Sequence, residues 1–208
     1  NYALDVEAVA EFIYTGQAAQ ISGPLPPLVW GARTDLAGYD YNPEKAKELL
    51  AQAGYPNGFK TTIWTNDNPL RMQIAEMFQA NLADIGVDVD VQIIPWATYL
   101  EDTAAGKHDM FILGWVTVTA DPDYGLYALF HSSQIGDAGN RSFYANERVD
   151  ELLDLGRREG DPDKRMAIYS EAQELIVDEA PWAFLIATSE VNGLRDNVEG
   201  FVPHPAGH

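Results

Sequence analysis

The chain has 208 residues, 46% hydrophobic and 22% charged, with 17 glycines and 12 prolines, an ordinary globular mix that excludes collagen, coiled coil and wholesale disorder. Thirteen Lys and Arg against 32 Asp and Glu give a net charge of −19; such a surface repels phosphates, so neither nucleic acid nor anionic membrane is an expected partner. No apolar run approaches the roughly 18 residues of a membrane span, and the absence of cysteine excludes disulfides, thiolate nucleophiles and cysteine-held metals.

Residues 5–14 read as a helix capped by Asp5, with Val6, Val9, Ala10 and Ile13 on one face. The stretch 16–41 is expected to be irregular, because Gly23-Pro24-Leu25-Pro26-Pro27 forbids helix. A loop of that length wraps a surface or serves function. Asn42-Pro43-Glu44 opens the next helix, with the cap followed by proline at the first helical position, and Gly54 stops it. Residues 60–65 alternate as a strand. Residues 69–85 form the clearest helix, with Ile74, Met77, Phe78, Asn81, Leu82 and Ile85 at spacings of three and four.

Val87, Val89, Val91 and Ile93 alternate with Asp88, Asp90 and Gln92, the pattern of a half-buried strand. Residues 96–105 read as a short helix, and the apolar run 110–115 as a central strand covered on both faces. Helices are expected at 124–130, 146–158 and 162–179, a strand at 182–187 and an extended tail at 198–208. Strands alternating with helices argue for an α/β domain. No linker divides the chain, so residues 1–208 are expected to form one domain. The first residues carry no basic stretch and apolar core, so any secretion leader lies outside the chain, and the abrupt start fits a segment of something longer.

Candidates for catalysis are few. The histidines are His108, His131, His204 and His208, and no nucleophile elbow, phosphate loop or His-Glu-x-x-His motif occurs. No cofactor or metal is implied. The most informative segment is Gly114-Trp115-Val116-Thr117-Val118-Thr119-Ala120-Asp121-Pro122-Asp123-Tyr124. It follows an apolar strand, at the place where α/β sheets bind ligands. One reading is a recognition surface, with rings for packing and oxygens for hydrogen bonds. The other makes Trp115 a core residue and Asp121-Pro122-Asp123 a helix cap. Trp64-Thr65-Asn66-Asp67-Asn68-Pro69 sits equivalently: its side chains point into the same cleft or cap the helix, and capping suits Asn68 best.

The run from Asn42 to Phe59, NPEKAKELLAQAGYPNGF, resembles the signature helix and turn of family 5 extracytoplasmic solute-binding proteins, the peptide, glutathione and nickel receptors of ABC importers. The likeness continues through Gly23-Pro24-Leu25-Pro26-Pro27, Gly114-Trp115, Asp121-Pro122-Asp123, residues 126–132, residues 169–176 and Ala180-Pro181-Trp182, in order along nearly the whole chain. It implies an α/β fold, one lobe of a periplasmic-binding-protein type II fold with a mixed sheet flanked by helices. By this likeness the chain resembles only the C-terminal lobe of a larger two-lobed protein. Implied partners are a small peptide or related molecule, the importer's membrane subunits and the missing N-terminal lobe. The implied location is extracytoplasmic, periplasmic or lipid-anchored.

The family's cleft-lining tryptophan falls on Trp115. In its dipeptide and oligopeptide receptors an aspartate three residues later holds the peptide's α-amino group; here that position is Val118, and the hydroxyl-rich run is closer to the glutathione branch. Trp115, Thr117, Val118 and Thr119 are therefore expected at the ligand, with Asp121, Asp123, Tyr124 and Asn66 around them. The function so implied is binding without chemistry. Two alternatives stand beside it: a hydrolase using Asp121, Asp123 and His131, and an acidic interaction module without a small ligand.

Overall fold

The computed structural model describes residues 1–189 and 191–202. Helix α1, Val6–Ala8, is capped by the Asp5 carboxylate and runs directly into a π-helical turn, Val9–Ile13. Strand β1, Ala18–Gln20, follows. Then come α2 (Pro43–Gln52), β2 (Lys60–Thr65), α3 (Pro69–Ala83), β3 (Asp88–Ile93), α4 (Trp96–Ala104) and β4 (Met110–Phe111). Helices α5 (Pro122–Phe130), α6 (Glu147–Arg158) and α7 (Pro162–Glu179) lead to β5, Ile186–Thr188.

One chemical device starts most of these helices. An Asn or Asp side chain accepts from the first free backbone N–H groups at Asn42, Asn68, Asp121, Asn146 and Asp161. In all but α6, proline then fills the first helical position, where its fixed φ suits the helix and its missing N–H costs nothing. Each such cap stabilises by about 1 kcal/mol.

The strands pair in two sheets. Strands β3, β2 and β4 form a parallel sheet in that order, with Lys60 opposite Asp88, Thr65 opposite Ile93 and Trp64 opposite Phe111. Its start is set by a close approach of two turns: a Cβ on Gly58, at φ +71°, would stand 1.8 Å from the Gly86 carbonyl oxygen. The Asp88 N–H then donates to the Phe59 oxygen at 2.9 Å, which launches β2 and β3 in register. The second sheet is an antiparallel ribbon of β1 and β5.

Three expectations are corrected here. The apolar run 110–115 is not a central strand: β2 is central, and the run contributes only two ladder residues at the edge. Its apolar character comes from packing, since Ile112 is buried in the sheet core and its carbonyl accepts from the buried Tyr99 hydroxyl of α4. The stretch 16–41 contains β1, which has no local signal because its partner is β5. The late strand is shorter and later than 182–187: Trp182 and Phe184 instead join a ring cluster around Phe130. Of the expected extended tail, residues 198–202 form no helix or strand, and 203–208 lie outside the described residues.

Two apolar clusters support the elements. In the first, Ile74, Ala75 and Phe78 of α3 pack on Ile63, Val89 and Ile112 of the sheet. In the second, α5, α6 and α7 meet through Leu126, Phe130, Val149, Leu153, Tyr169 and Ile176. The proline loop is laid over this second cluster by Leu25 and Val29. It is held by Gln173, fully buried in α7, which accepts from the Arg33 N–H and donates to the Gly31 carbonyl. A buried amide with its polar atoms matched in this way fixes the loop at little net cost.

Candidate functional site

The three parallel strands end on one side, at Thr65, Ile93 and Phe111. Ligands of α/β proteins bind beyond such carboxyl ends. Three segments leave the sheet there: 66–68 into α3, 94–95 into α4 and 112–121 into α5.

After β2 the two asparagines divide their tasks. Asn68 caps α3, accepting from the N–H groups of Leu70 and Arg71. Asn66 is free of capping; its Oδ1 accepts from Arg71 Nη1 at 3.0 Å. After β3, Trp96 opens α4 with 45% of its surface exposed, and its ring centre lies 5.9 Å from the Arg71 guanidinium carbon. After β4, Gly114 leaves room for the same group: a Cβ there would stand 3.3 Å from Arg71 Nη2.

The 112–121 segment alternates outward and inward. Val116 is 60% exposed and Val118 41%, while Thr117 between them is 8% exposed. The Thr117 hydroxyl packs on α5, 3.0 Å from where a Cβ on Gly125 would stand, so it supports the surface from beneath. Thr119 is exposed. Ala120 closes the turn in the left-handed region at φ 51°, its N–H donating to the Thr117 oxygen. The half-buried Trp115 ring lies 5.2 Å from that of the exposed Tyr124. Together, Trp115, Val116, Val118, Thr119 and Tyr124 make an aromatic and apolar surface beside the sheet ends.

Both aspartates of this segment are occupied. Asp121 caps α5 by accepting from the Asp123 N–H, and both its oxygens accept from Arg165, at 2.7 Å each. That guanidinium holds the Asp121 carboxyl below the usual carboxylate range, against the opposing effect of burial. Asp123 Oδ1 lies 3.1 Å from Arg157 Nε. Arg165 is itself held in place, donating to the Gly156 carbonyl and lying over the rings of Trp30 and Tyr169.

The hydrolase alternative is corrected by these contacts. Asp121 and His131 stand at opposite ends of α5, about 15 Å apart by helix rise. His131 instead receives the Ser133 N–H on Nδ1, and its nearest carboxylates are Asp150 and Asp154.

Arg71 and Trp96 are absent from the sequence-based set of site residues, although Arg71 bonds Asn66 of one strand exit and lies near Trp96 and Gly114 of the other two. A local signal did exist. The first turns of α2, α5, α6 and α7 carry Asp or Glu, as the helix macrodipole favours, whereas α3 has no acid there and carries Arg71. Such a departure from a local rule is characteristic of functional positions.

The fold is that of the periplasmic binding proteins. Residues 1–137 match the family described as bacterial extracellular solute-binding proteins, family 5 Middle. Heme-binding protein A of Haemophilus influenzae is 36% identical over 100% of this chain and 39% of its own. The dipeptide-binding protein of Escherichia coli is 33% identical over 100% of this chain and 40% of its own. Among solved structures, the ABC transporter-associated periplasmic binding protein DppA of Helicobacter pylori, in complex with the peptide STSA, superposes with a TM-score of 0.83. It is 42% identical, covering 89% of this chain and 36% of that one.

The chain belongs to the family 5 bacterial extracellular solute-binding proteins. It spans about two fifths of the length of the curated relatives it matches. Among the described residues, no helix is long and apolar enough to cross a membrane.

Proposed function

We propose that residues 1–208 form the C-terminal lobe of a two-lobed receptor that binds a small peptide, or a glutathione-like ligand, without chemistry. The receptor works outside the cytoplasm and hands its cargo to the membrane subunits of an ABC importer. The observation that carries this reading is the exposed aromatic surface at the carboxyl ends of β2, β3 and β4, with exposed Val118, Thr119 and Tyr124 beside Trp115. Asn66, Trp115, Val118, Thr119 and Tyr124 face the ligand, and Thr117, Asp121 and Asp123 hold that surface in shape. The dipeptide-binding relative and the peptide-bound structural neighbour support a peptide cargo.

A thermal-shift screen of the full-length receptor tests the reading, using di-, tri- and tetrapeptides, glutathione, nickel and hemin. A ligand present at 100 times its Kd stabilises the folded state by about 2.7 kcal/mol, a shift of several degrees. A shift with peptides or glutathione is the expected result. A shift with hemin or nickel alone would replace the cargo assignment.

A further inference from the structure

We propose that Arg71 anchors a carboxylate of the ligand, so that this receptor holds its cargo by an anionic group rather than by an amine. The inference rests on the receptor reading above and adds the chemical class of the ligand group and the residue that reads it.

Arginine in a strongly acidic chain is ordinarily neutralised by its neighbours. Among the described residues, the basic side chains with no carboxylate oxygen within 4.0 Å are Arg71, Lys164 and Arg195. Lys164 and Arg195 are exposed on the surface, where water solvates them; Arg71 is half-buried at the sheet ends. A partly desolvated guanidinium without a counter-charge gains most from an incoming anion.

Its geometry is fixed in advance. Asn66 beyond β2 accepts one Nη1 hydrogen, Trp96 beyond β3 offers a ring, and Gly114 beyond β4 leaves the space that Nη2 approaches. A guanidinium has five N–H donors, and among the described residues one bond accounts for those in use. The remaining donors match the two oxygens of a carboxylate in a parallel fork. The planar group held by a ring and an amide loses little further freedom when a ligand binds.

Within residues 114–124, an incoming amine finds no carboxylate without a counter-charge. Val118 carries no charge, and Asp121 and Asp123 are taken by Arg165 and Arg157. Asp67, in the same loop as Asn66, is exposed at the rim. Asp67 and Arg71 offset one another in formal charge, but the exposed carboxylate is solvated by water while the half-buried guanidinium is less so and gains more from a counter-ion, although the chain as a whole is at −19. Screening over roughly 8 Å at physiological salt lets the nearby guanidinium outweigh distant acids.

The test uses the full-length receptor and titration calorimetry with alanine-, leucine- and phenylalanine-based di- and tripeptides. Each is prepared as the free acid, the C-terminal amide and the N-acetylated acid. The expected result is that amidation weakens binding by about 10- to 100-fold, while acetylation changes it by less than about threefold. Arg71→Gln should remove the preference for the acid, and Arg71→Lys should restore part of it through a point charge without the fork. Equal binding of acid and amide, or a preference that survives Arg71→Gln, overturns the anchor and leaves the receptor reading standing. Failure of every acid and every amide to bind overturns the peptide-receptor reading and the anchor with it.

Discussion

Arg71 and Arg165 both stand within the first turn or so of a helix, in α3 and α7, yet the two halves of the molecule treat them oppositely. In the helical half, Arg165 meets both oxygens of Asp121, the Gly156 carbonyl and two aromatic rings. In the sheet half, Arg71 meets an asparagine and one ring, with no carboxylate among the described residues. The first cation is a structural clamp joining the site segment to α7. The second is held by neutral groups and keeps its charge for something else. The same residue type at a similar helix position is thus read by its counter-charge, not by its sequence neighbours.

The largest effect should come from breaking the closed side. Asp121→Ala removes the α5 cap and leaves Arg165 partly buried without its partner, at an expected cost of about 2–3 kcal/mol in chemical denaturation. Arg71→Gln removes no ion pair and should cost less than about 0.5 kcal/mol. Equal losses for the two variants would erase the contrast.

Gly156→Ala probes the tight packing of the helical half, because its Cβ would stand 2.6 Å from the Tyr169 ring. Crowding of this kind costs about 1–3 kcal/mol, reduced by about 1 kcal/mol of helix propensity, so the urea midpoint should fall modestly.

The smallest effect is in the pH profile. The Asp121 carboxyl is held below its usual range by Arg165, and Asp109 by the side chain and N–H of Thr62. Carboxyls depressed in the folded state contribute stability that is present above their ordinary pKa of about 4 and is lost as pH falls through the folded values. Urea midpoints should therefore decline on acidification below about pH 4, and the slope should be shallower in Asp121→Ala.

Much of the fold was legible because its punctuation is local. Asn42, Asn68, Asp121 and Asp161 each precede a proline, and the helices begin there. Alternation marked β2 and β3 equally well, with Val89 buried between exposed Asp88 and Asp90. What escaped depended on distant partners. Ala18-Ala19-Gln20 has no alternation to read, and becomes a strand only against Ile186–Thr188. An apolar run such as 110–115 reports coverage and does not distinguish a central strand from an edge.

The site divides in the same way. The place of residues 114–124 after an apolar run suggested a recognition surface or a core residue with a helix cap, and the fold has both: Val118, Thr119 and Tyr124 are exposed while Asp121 caps α5. The engagement of Asp121 and Asp123 was not readable, since Arg165 and Arg157 lie more than thirty residues further along. Arg71 was readable in principle, as a cation where the helix dipole disfavours one.

The β1–β5 ribbon bears on how the chain comes to be folded. Ala18 pairs with Thr188, and Arg33 reaches Gln173 across 140 residues. Closing loops of that size costs chain entropy before any contact returns it. The nascent chain can build its parallel sheet while still on the ribosome, but residues near its beginning must wait for β5 to be made. Refolding should accordingly show a fast phase for the sheet and a slower one in which the ribbon and the proline loop dock.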